Sequence, residues 1–430
     1  MAWTVLSVTY ILARPVTFPA MPIRLEWTGR PDLERIADLR WRCYAATGAA
    51  RETFRKRTAR GAWGDGDVIV AGDGKLDLGT ATSLRLQLHA RGKRVPCQGV
   101  AWVGTIKSHR RRQKGDGERG VASRIMLALQ DRARERGEVV SALMPFRGSF
   151  YEHFGYGIVE RQTVWTIPLS LLPDGPADAA WRFGSPADAP AMLACRARQA
   201  AAGQCDVETS PAQLNEWLEH LDPDTQLFVD DRGDRTAAHA WLRESIEGDH
   251  AVATVVQPAW EDAAGLTSLL GLLRGLRDQY GLARITLPSD FPMHWLLKER
   301  QVPHRRVDHP VASCKTLTRM QLRVLNPIAF LDGQVLQADA SGKATFAVHT
   351  VDKTVQTFEL ALDGGRVAAR ASSASPDVSC DEVAFAALCT GGLPAVQAAM
   401  LGLIDVHTPS VLPFLAAFGA GPQPFCYEYF

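Results

Sequence analysis

Hydrophobic residues recur along the chain at two spacings, and each change of spacing marks a new predicted element. In the first part, helical spacing predicts a helix that ends near Tyr44. Over 79–88 a strand is predicted, and the alternation of Leu84, Leu86 and Leu88 gives it one buried face. An apolar run at 99–106 predicts a further strand. A loop, a helix to about Arg136 and an apolar strand at 139–144 follow. This order predicts an α+β layer with the strand at 99–106, around Val103, at the centre of its sheet.

The pattern restarts twice along the chain. Prolines, a glycine and a serine interrupt it between 168 and 176, after which 181–316 repeat the order strand, helices, strands, helix and strand. Near Met320 the pattern changes to alternating strands followed by short helices rich in small residues. We therefore predict an extension at 1–20 and domains at 21–170, 171–318 and 319–430. Met1 and Met21 both stay open as the working start.

Composition limits the classes of protein that fit this organisation. A chain of 430 residues exceeds a single core, so two or three domains are expected. The formal charge of +1 gives no sign of a nucleic-acid partner. The 8 cysteines are scattered without C-x-x-C pairs, which favours free thiols, a cytoplasmic location and no metal. Since no run of 18 apolar residues occurs, no membrane span is predicted.

A basic, glycine-rich loop follows the strand that ends at Ile106. Arginine charge and uncrowded backbone N–H groups at a helix start together predict phosphate binding. The residues concerned are Arg110, Arg111, Arg112, Gly115, Gly117 and Gly120.

Two phosphate ligands fit different parts of this loop. The G-x-G-x-x-G pattern at 115–120 is that of a dinucleotide site, but there the first glycine follows the strand almost directly and an acid lies about twenty residues on. Here 107–114 intervene, and the next strand runs out at 143–145 without an acid. The coenzyme A pattern R/Q-x-x-G-x-G/A fits 112–117. If its last two small residues are instead Gly120 and Ala122, the helix that follows has a more usual length. The register of the loop stays open.

Val103-Gly104-Thr105, the arginine run, Ala142-Leu143 and 150–157 (FYEHFGYG) together resemble a GNAT-fold N-acetyltransferase, and more narrowly the Eis (enhanced intracellular survival) family. The resemblance implies tandem GNAT-fold domains, the first catalytic and the second degenerate, followed by a sterol-carrier-like α+β domain. It also implies acetyl-CoA as co-substrate, a primary amine as acceptor and a homo-oligomer, in similar proteins a hexamer. The segment 257–265, equivalent to the basic loop, has no arginine and two acids, which fits a degenerate second domain.

The resemblance also assigns roles to individual residues. Tyr151 becomes the general acid that protonates the leaving thiolate, and the terminal carboxylate of Phe430 becomes the general base. Pantetheine would bind along the strand at Val103, Gly104 and Thr105. From the residues themselves, Ser149-x-x-Glu152 predicts a capping box that starts a short helix carrying Tyr151. Tyr156 is interpreted as structural.

Two other classes of function remain open on the sequence. A non-catalytic acyl-CoA-binding or scaffold protein would follow if the loop at 113–118 closes the cofactor cleft. A nucleotide-dependent oxidoreductase would use the same glycines. The acceptor amine is not determined, and aminoglycoside-like molecules, polyamines and protein lysines all stay open.

Overall fold

The computed structural model describes residues 22–28, 32–45, 50–59, 66–110, 120–301, 309–336 and 340–430. Their helices are α1 (Leu33–Tyr44), α2 (Arg51–Ala59), α3 (Val121–Glu135), α4 (Gly148–Glu152), α5 (Ala189–Ala202), α6 (Pro211–Glu219), α7 (Ala263–Gly275), α8 (Pro327–Leu331), α9 (Glu382–Thr390), α10 (Ala395–Met400) and α11 (Leu412–Phe418). Among the residues described, no helix combines the length and apolar character needed to cross a membrane.

The strands form three separate β-sheets. In chain order they are β1 (Arg24–Thr28), β2 (Asp67–Gly72), β3 (Asp77–Ala90), β4 (Lys93–Thr105), β5 (Val140–Leu143), β6 (Gly157–Ile158), β7 (Arg161–Pro168), β8 (Trp181–Phe183), β9 (Asp206–Val207), β10 (Thr225–Arg232), β11 (Arg235–Glu247), β12 (His250–Trp260), β13 (Leu282–Pro288), β14 (Ser313–Thr318), β15 (Gln321–Val324), β16 (Gly342–His349), β17 (Val355–Asp363), β18 (Arg366–Ala371), β19 (Val378–Asp381) and β20 (Ile404–Val406).

The first sheet has the order β1-β2-β3-β4-β5-β15-β6, with β9 paired to β3. One face is covered by α1 and α3. The Asp32 side chain accepts hydrogen bonds from the first-turn N–H groups of α1, and Ile36 and Leu39 on its apolar stripe are buried. Neighbouring strands are antiparallel except β4 and β5, which run parallel because α3 connects them.

Three strands cross the predicted domain boundaries. β9, from the second predicted segment, pairs with β3 in the first sheet. β7, from the end of the first predicted segment, lies in the second sheet, whose order is β14-β7-β13-β12-β11-β10-β8. β15, from the start of the third segment, lies in the first sheet, where it pairs antiparallel with both β5 and β6. Each predicted segment thus contributes one strand to a sheet that is built mainly by another segment.

The third sheet has the order β18-β17-β16-β19-β20, and α9 contacts both this sheet and strands β6 and β15 of the first. A single hydrophobic core contains Leu88 and Val140 of the first sheet together with Phe346 and Phe358 of the third. Phe346 and Phe358 stack with their ring centroids 5.9 Å apart. The first and third sheets thus contribute to one continuous hydrophobic core.

The glycines of the 150–157 motif allow this third segment to approach closely. Gly155 has φ 80°, and a Cβ added there would lie 1.8 Å from Glu382 Oε2. A Cβ on Gly157 would lie 2.1 Å from the carbonyl oxygen of Val383. Glu382 also forms a buried ion pair with Arg323 of β15, at 2.9 Å. These two glycines therefore serve contact between segments.

We expect Gly157→Ala to destabilise the protein by about 1–3 kcal/mol, because the added methyl group must displace the Val383 backbone. Chemical denaturation measures this change. Gly275→Ala is the matched control, since an added Cβ meets nothing within 4 Å at the end of α7 and alanine favours a helix. Equal stability of the two variants would contradict the packing argument.

Candidate active site

The site is built on an irregularity in β4. Trp102 has a left-handed backbone with φ 55°, which is uncommon for a bulky residue. The pairing with β3 runs from Thr80↔Gly104 to Thr82↔Ala101, so Trp102 and Val103 together oppose a single residue, as in a β-bulge. The bulge bends β4 away from the regular ladder.

The same bend separates β4 from β5. Their parallel pairing ends at Val100↔Leu143, whereas β4 continues to Thr105. Along 101–105, the backbone N–H and C=O groups of β4 that point toward β5 have no hydrogen-bond partner in that strand. A wedge-shaped opening results, with backbone donors and acceptors along one wall.

Helix α3 begins at the mouth of this opening. Gly120 is its N-cap and has no side chain to cap the first turn, so first-turn N–H groups remain available. A Cβ on Gly79 would lie 2.6 Å from Gly104 O and 2.8 Å from Val121 Cγ1. Glycine at 79 therefore lets the helix start approach the sheet, a requirement that sequence spacing alone did not reveal.

The basic residues before the helix bind backbone carbonyls. Arg110 Nε donates to Thr105 O at 3.1 Å, and the same guanidinium donates to Cys43 O. Lys107 Nζ donates to Ala45 O. Arg110 and Lys107 thus join the end of β4 to the C-terminal end of α1. Other predicted loop residues, namely Arg111, Arg112, Gly115 and Gly117, lie outside the described residues.

Tyr151 lies on α4, but the predicted capping box does not form. The helix begins at Gly148 and its N-cap is Arg147, with no side-chain cap. Ser149 is therefore already inside the first turn and cannot serve as the N-cap, so that prediction was wrong. The Ser149 carbonyl instead pairs with the ring of His153 at 2.7 Å.

The Tyr151 side chain is 4% exposed within an aromatic cluster. Phe150 and Phe146 make edge contacts with its ring, at centroid distances of 5.0 Å and 6.4 Å. Its hydroxyl makes no hydrogen bond within the described part of the chain. Burial, with a contribution from Tyr156, raises the pKa of Tyr151, so the phenol carries its proton at neutral pH.

A second tyrosine, Tyr44 at the end of α1, was not foreseen. Its ring atoms lie 3.0 Å from where a Cβ on Gly104 would be, and it makes an edge contact with Trp102 at 5.6 Å. Burial first, and then the neighbouring Cys43 and Tyr151 groups, raise the pKa of Tyr44. Two protonated phenols therefore lie near the bulge. No local pattern marked Tyr44, because only tertiary packing brings α1 to β4.

Two arginines surround the bulge tryptophan. The guanidinium carbons of Arg40 and Arg57 lie 4.6 Å and 5.4 Å from the Trp102 ring centroid. Arg40 is buried, and its guanidinium donates to the Thr58 and Thr82 hydroxyls. Burial lowers the pKa of Arg40 to about 10, which leaves it charged at neutral pH. This side of the bulge is positively charged.

Tyr156 is fully buried and hydrogen-bonded. Its hydroxyl pairs with Ser141 Oγ at 2.7 Å, and Ser141 donates to Gln98 at 2.8 Å. Gln98 in turn donates to Leu129 O of α3 at 2.7 Å. The chain of contacts crosses β5 and β4 beneath α3, which fits a structural role for Tyr156.

The last residues of the chain are anchored by backbone contacts. Phe425 N donates to Gln204 O at 2.9 Å, and Tyr427 N donates to Asp206 at 3.0 Å. Arg319 donates to the carbonyls of Cys426 and Glu428, at 3.2 Å and 3.1 Å. The terminal segment 425–430 is therefore held in place, unlike most chain ends.

A buried ion pair strengthens this anchor. Arg196 lies 2.6 Å from Asp206 and 3.4 Å from Glu428, and all three side chains are nearly inaccessible. Thr209 donates a further hydrogen bond to Glu428. Burial raises the pKa of Glu428, while Arg196 and Thr209 oppose that rise. The segment thus depends on charges contributed by α5 and β9.

Phe430 and Tyr151 belong to different hydrophobic cores. The Phe430 side chain is 9% exposed and packs in the core that the first and third sheets share. Tyr151 lies in the core beneath α1 and α3. No hydrogen bond joins the two residues in the portion of the chain the structure describes. The structure groups Val103, Gly104, Thr105, Arg110, Gly120, Ala122 and Tyr151 near the end of β4, whereas Phe430 packs in the adjoining core.

The residues that form most of the first sheet match a known protein family. Residues 28–159 match the model of the acetyltransferase (GNAT) domain. The chain therefore carries a GNAT acetyltransferase domain, as the motif predicted, and a domain of this class implies the use of acetyl-CoA.

Curated relatives and solved structures agree with this class. An uncharacterized N-acetyltransferase of Streptomyces avermitilis is 31% identical over 27% of this chain and 28% of its own length. One from Streptomyces coelicolor is 28% identical over 53% of this chain and 52% of its own length. The chain thus spans about half, or less, of the curated relatives it matches.

The fold is shared over nearly the whole chain with structures of low sequence identity. A GCN5-related N-acetyltransferase from Anabaena variabilis is 17% identical with a TM-score of 0.79, covering 95% of this chain and 100% of that chain. Eis1 from Mycobacterium abscessus is 20% identical with a TM-score of 0.75, over the same shares of the two chains. At these identities the likeness shows the fold alone.

Glu160, between β6 and β7, supplies a test of the packing around the terminal segment. Burial raises its pKa from 4.5 to about 7. The folded state therefore keeps a proton that the unfolded chain loses, and stability falls as the pH rises from about 4.5 to 7. Relative to wild type, we expect Glu160→Gln to gain about 3 kcal/mol between pH 4 and pH 8, measured by denaturation at each pH.

The exposed Glu219 at the end of α6 provides the control for this experiment. We expect Glu219→Gln to follow the wild-type stability profile at every pH. A constant difference between wild type and Glu160→Gln across the same range would show that folding does not shift the pKa of Glu160.

Proposed function

We propose that this protein is an Eis-family enzyme that transfers an acetyl group from acetyl-CoA directly to a primary amine. The observation that carries the proposal is the bulge in β4, which opens the strand beside the start of α3 and next to the Tyr151 phenol. The match to a GNAT domain over this sheet supports the acyl donor. The resemblance of the sequence motif supports the narrower family.

The residues around the opening fit acetyl-CoA. Thr105 Oγ1 is buried without a hydrogen-bond partner among the described residues, which leaves a polar group for a ligand. Backbone groups of Val103 and Thr105 would bind the amides of pantetheine. Since α3 begins directly after Gly120, the frame at Gly120 and Ala122 would present first-turn N–H groups to the diphosphate. Bound acetyl-CoA supplies the thioester acetyl group.

Two groups of the chain would move the protons. Tyr151 holds its proton at neutral pH and would donate it to the departing thiolate sulfur. The Phe430 carboxylate would accept a proton from the amine as nitrogen attacks the acetyl carbon. An ordinary terminal carboxyl has a pKa of about 3.5 and an amine one of about 10, so this transfer is uphill by roughly six pKa units. Desolvation of the carboxylate or an intervening water would have to reduce that gap. No nucleophilic side chain is needed.

The acceptor is a primary amine, with aminoglycoside-like molecules, polyamines and lysine side chains as candidates. Arg40 and Arg57 beside Trp102 would repel a polycation approaching from that side. Aminoglycosides are also polycations, so this charge does not separate them from polyamines.

The wider architecture follows from the same family proposal. The second sheet repeats the features of the first, since Gln257 of β12 is left-handed with φ 46° and the parallel pairing with β13 ends at Thr254↔Arg284. These features support a tandem, degenerate GNAT-like domain at 171–318, and the third segment would be the sterol-carrier-like domain. A cytoplasmic homo-oligomer, as a hexamer, completes the proposal.

Tyr151→Phe is the first test. The variant removes only a hydroxyl without a partner among the described residues, so the fold should persist. We expect thiol release from acetyl-CoA, assayed with a panel of amines, to fall roughly 10²-fold or more with little change in the KM for acetyl-CoA. Removal of Phe430 should lower turnover in the same assay.

One matched control and one competing variant, each replacing a phenol by a phenyl group, sharpen this test. Tyr280→Phe removes a hydroxyl that donates to Glu244 in the second sheet, and it should leave turnover unchanged. Tyr44→Phe tests the other phenol near the bulge. A large loss in Tyr44→Phe with activity kept in Tyr151→Phe would reassign the general acid.

Ligand-binding measurements, made beside the turnover assay, separate the alternative functions. A scaffold or acyl-CoA-binding protein would be stabilised by acetyl-CoA without turning over any amine. A nucleotide-dependent oxidoreductase would bind nicotinamide dinucleotides, whereas the proposed enzyme would be stabilised by acetyl-CoA and show no such binding.

A further inference from the structure

The second sheet contains a cavity at the place that corresponds to the opening in the first. Beyond Thr254↔Arg284, β12 and β13 no longer pair, and both strands line a cavity of about 410 Å³. This volume falls within the range of about 300–1,000 Å³ that is usual for small-molecule sites. The cavity therefore has both the position and the size of a ligand site.

A coenzyme is a poor fit for this cavity. At the start of α7, the Asp262 carboxylate already accepts a hydrogen bond from Gly265 N at 2.8 Å. The carboxylate of Glu261, beside it, is already paired with Arg235 at 2.8 Å and with Arg198 at 3.4 Å. A diphosphate would meet two carboxylates where α3 offers free N–H groups in the first domain. The ligand is thus something other than coenzyme A.

Aromatic side chains form much of the cavity wall. Trp217 and Trp241 meet edge to face at 5.9 Å, and Tyr427 and Tyr429 of the terminal segment complete the wall. Trp241 is 6% exposed, and its indole N–H has no hydrogen-bond partner among the described residues. Gln162 also lines the cavity, with its side-chain oxygen buried and unpaired in the described chain. Buried polar groups of this kind are normally satisfied by a partner.

Charge decides between a cationic and an anionic occupant. An aromatic cage alone would also suit a quaternary ammonium ion. The lining, however, has the two arginines Arg243 and Arg319 against the single acid Asp222. Arg243 is exposed at the cavity, and no carboxylate contacts it within the described residues. Its planar guanidinium is suited to a carboxylate.

We infer that this cavity in the second sheet binds a small aromatic molecule carrying a single carboxylate. The ring packs between the tryptophans and the terminal tyrosines, the Trp241 N–H donates to the ligand, and Arg243 pairs with the carboxylate. Because Tyr427 and Tyr429 lie next to Phe430, an occupant also restrains the end of the chain. This site does not depend on the proposed transferase activity.

Sodium benzoate, followed by saturation-transfer NMR on the full chain, tests the inference. We expect saturable binding of benzoate and at least roughly tenfold weaker binding of benzamide, its neutral isostere. Saturating acetyl-CoA should leave benzoate bound. Hydrogen exchange at 425–430 should slow when benzoate is added.

Variants assign the binding to this cavity. Arg243→Gln should reduce the affinity for benzoate to that for benzamide, while Arg366→Gln, the same charge change on exposed β18, should leave it unchanged. Trp241→Phe should weaken both probes several-fold. The inference is overturned if benzamide binds as well as benzoate, if acetyl-CoA displaces benzoate, if Arg243→Gln has no effect, or if phenyltrimethylammonium binds more tightly.

Discussion

The left-handed backbone at Trp102 is the constraint on which the proposed active site depends. A bulky residue adopts this conformation only when its surroundings hold it there, at a cost of about 1–3 kcal/mol. Tyr44 contacts Trp102 at its edge and Arg40 lies over its ring, and the strand opens as a result. Gln257 repeats the conformation in the second sheet. The same local distortion thus makes an opening in each of two sheets.

The terminal segment links the cavity of the second sheet to the core that the first and third sheets share. Its tyrosines line the cavity of the second sheet, and Phe430 packs in the core shared by the first and third sheets. Arg196, paired with Asp206 and Glu428, holds the segment by charges that are costly to leave unpaired once buried. The exchange of β7 and β15 between segments binds the same sheets together. The position of the last residues is therefore fixed by contacts with α5 and β9, with Arg319, and with the core that the first and third sheets share.

Local pattern predicted most of the first sheet and little of what surrounds the proposed site. The predicted strand at 99–106 and helix to Arg136 correspond to β4 and α3, because each buries one face whose period is visible in sequence. The predicted capping box does not form because the helix begins at Gly148, one residue before Ser149. Tyr44 and Gly79 escaped notice because their partners lie about sixty and twenty-five to forty residues away, and periodicity does not report such distances.

By itself, the sequence determined the order of elements, the restarts near 170 and 320, and the motif that indicated a GNAT acetyltransferase domain, which the family match confirmed. These features depend on neighbouring residues, whose spacing fixes which face is apolar. Only the tertiary structure decided that β15 completes the first sheet, that Tyr44 joins Tyr151 near the bulge, and that the terminal segment lines a cavity in the second sheet. Those outcomes rest on pairing and packing between distant segments, where many arrangements satisfy the same local pattern.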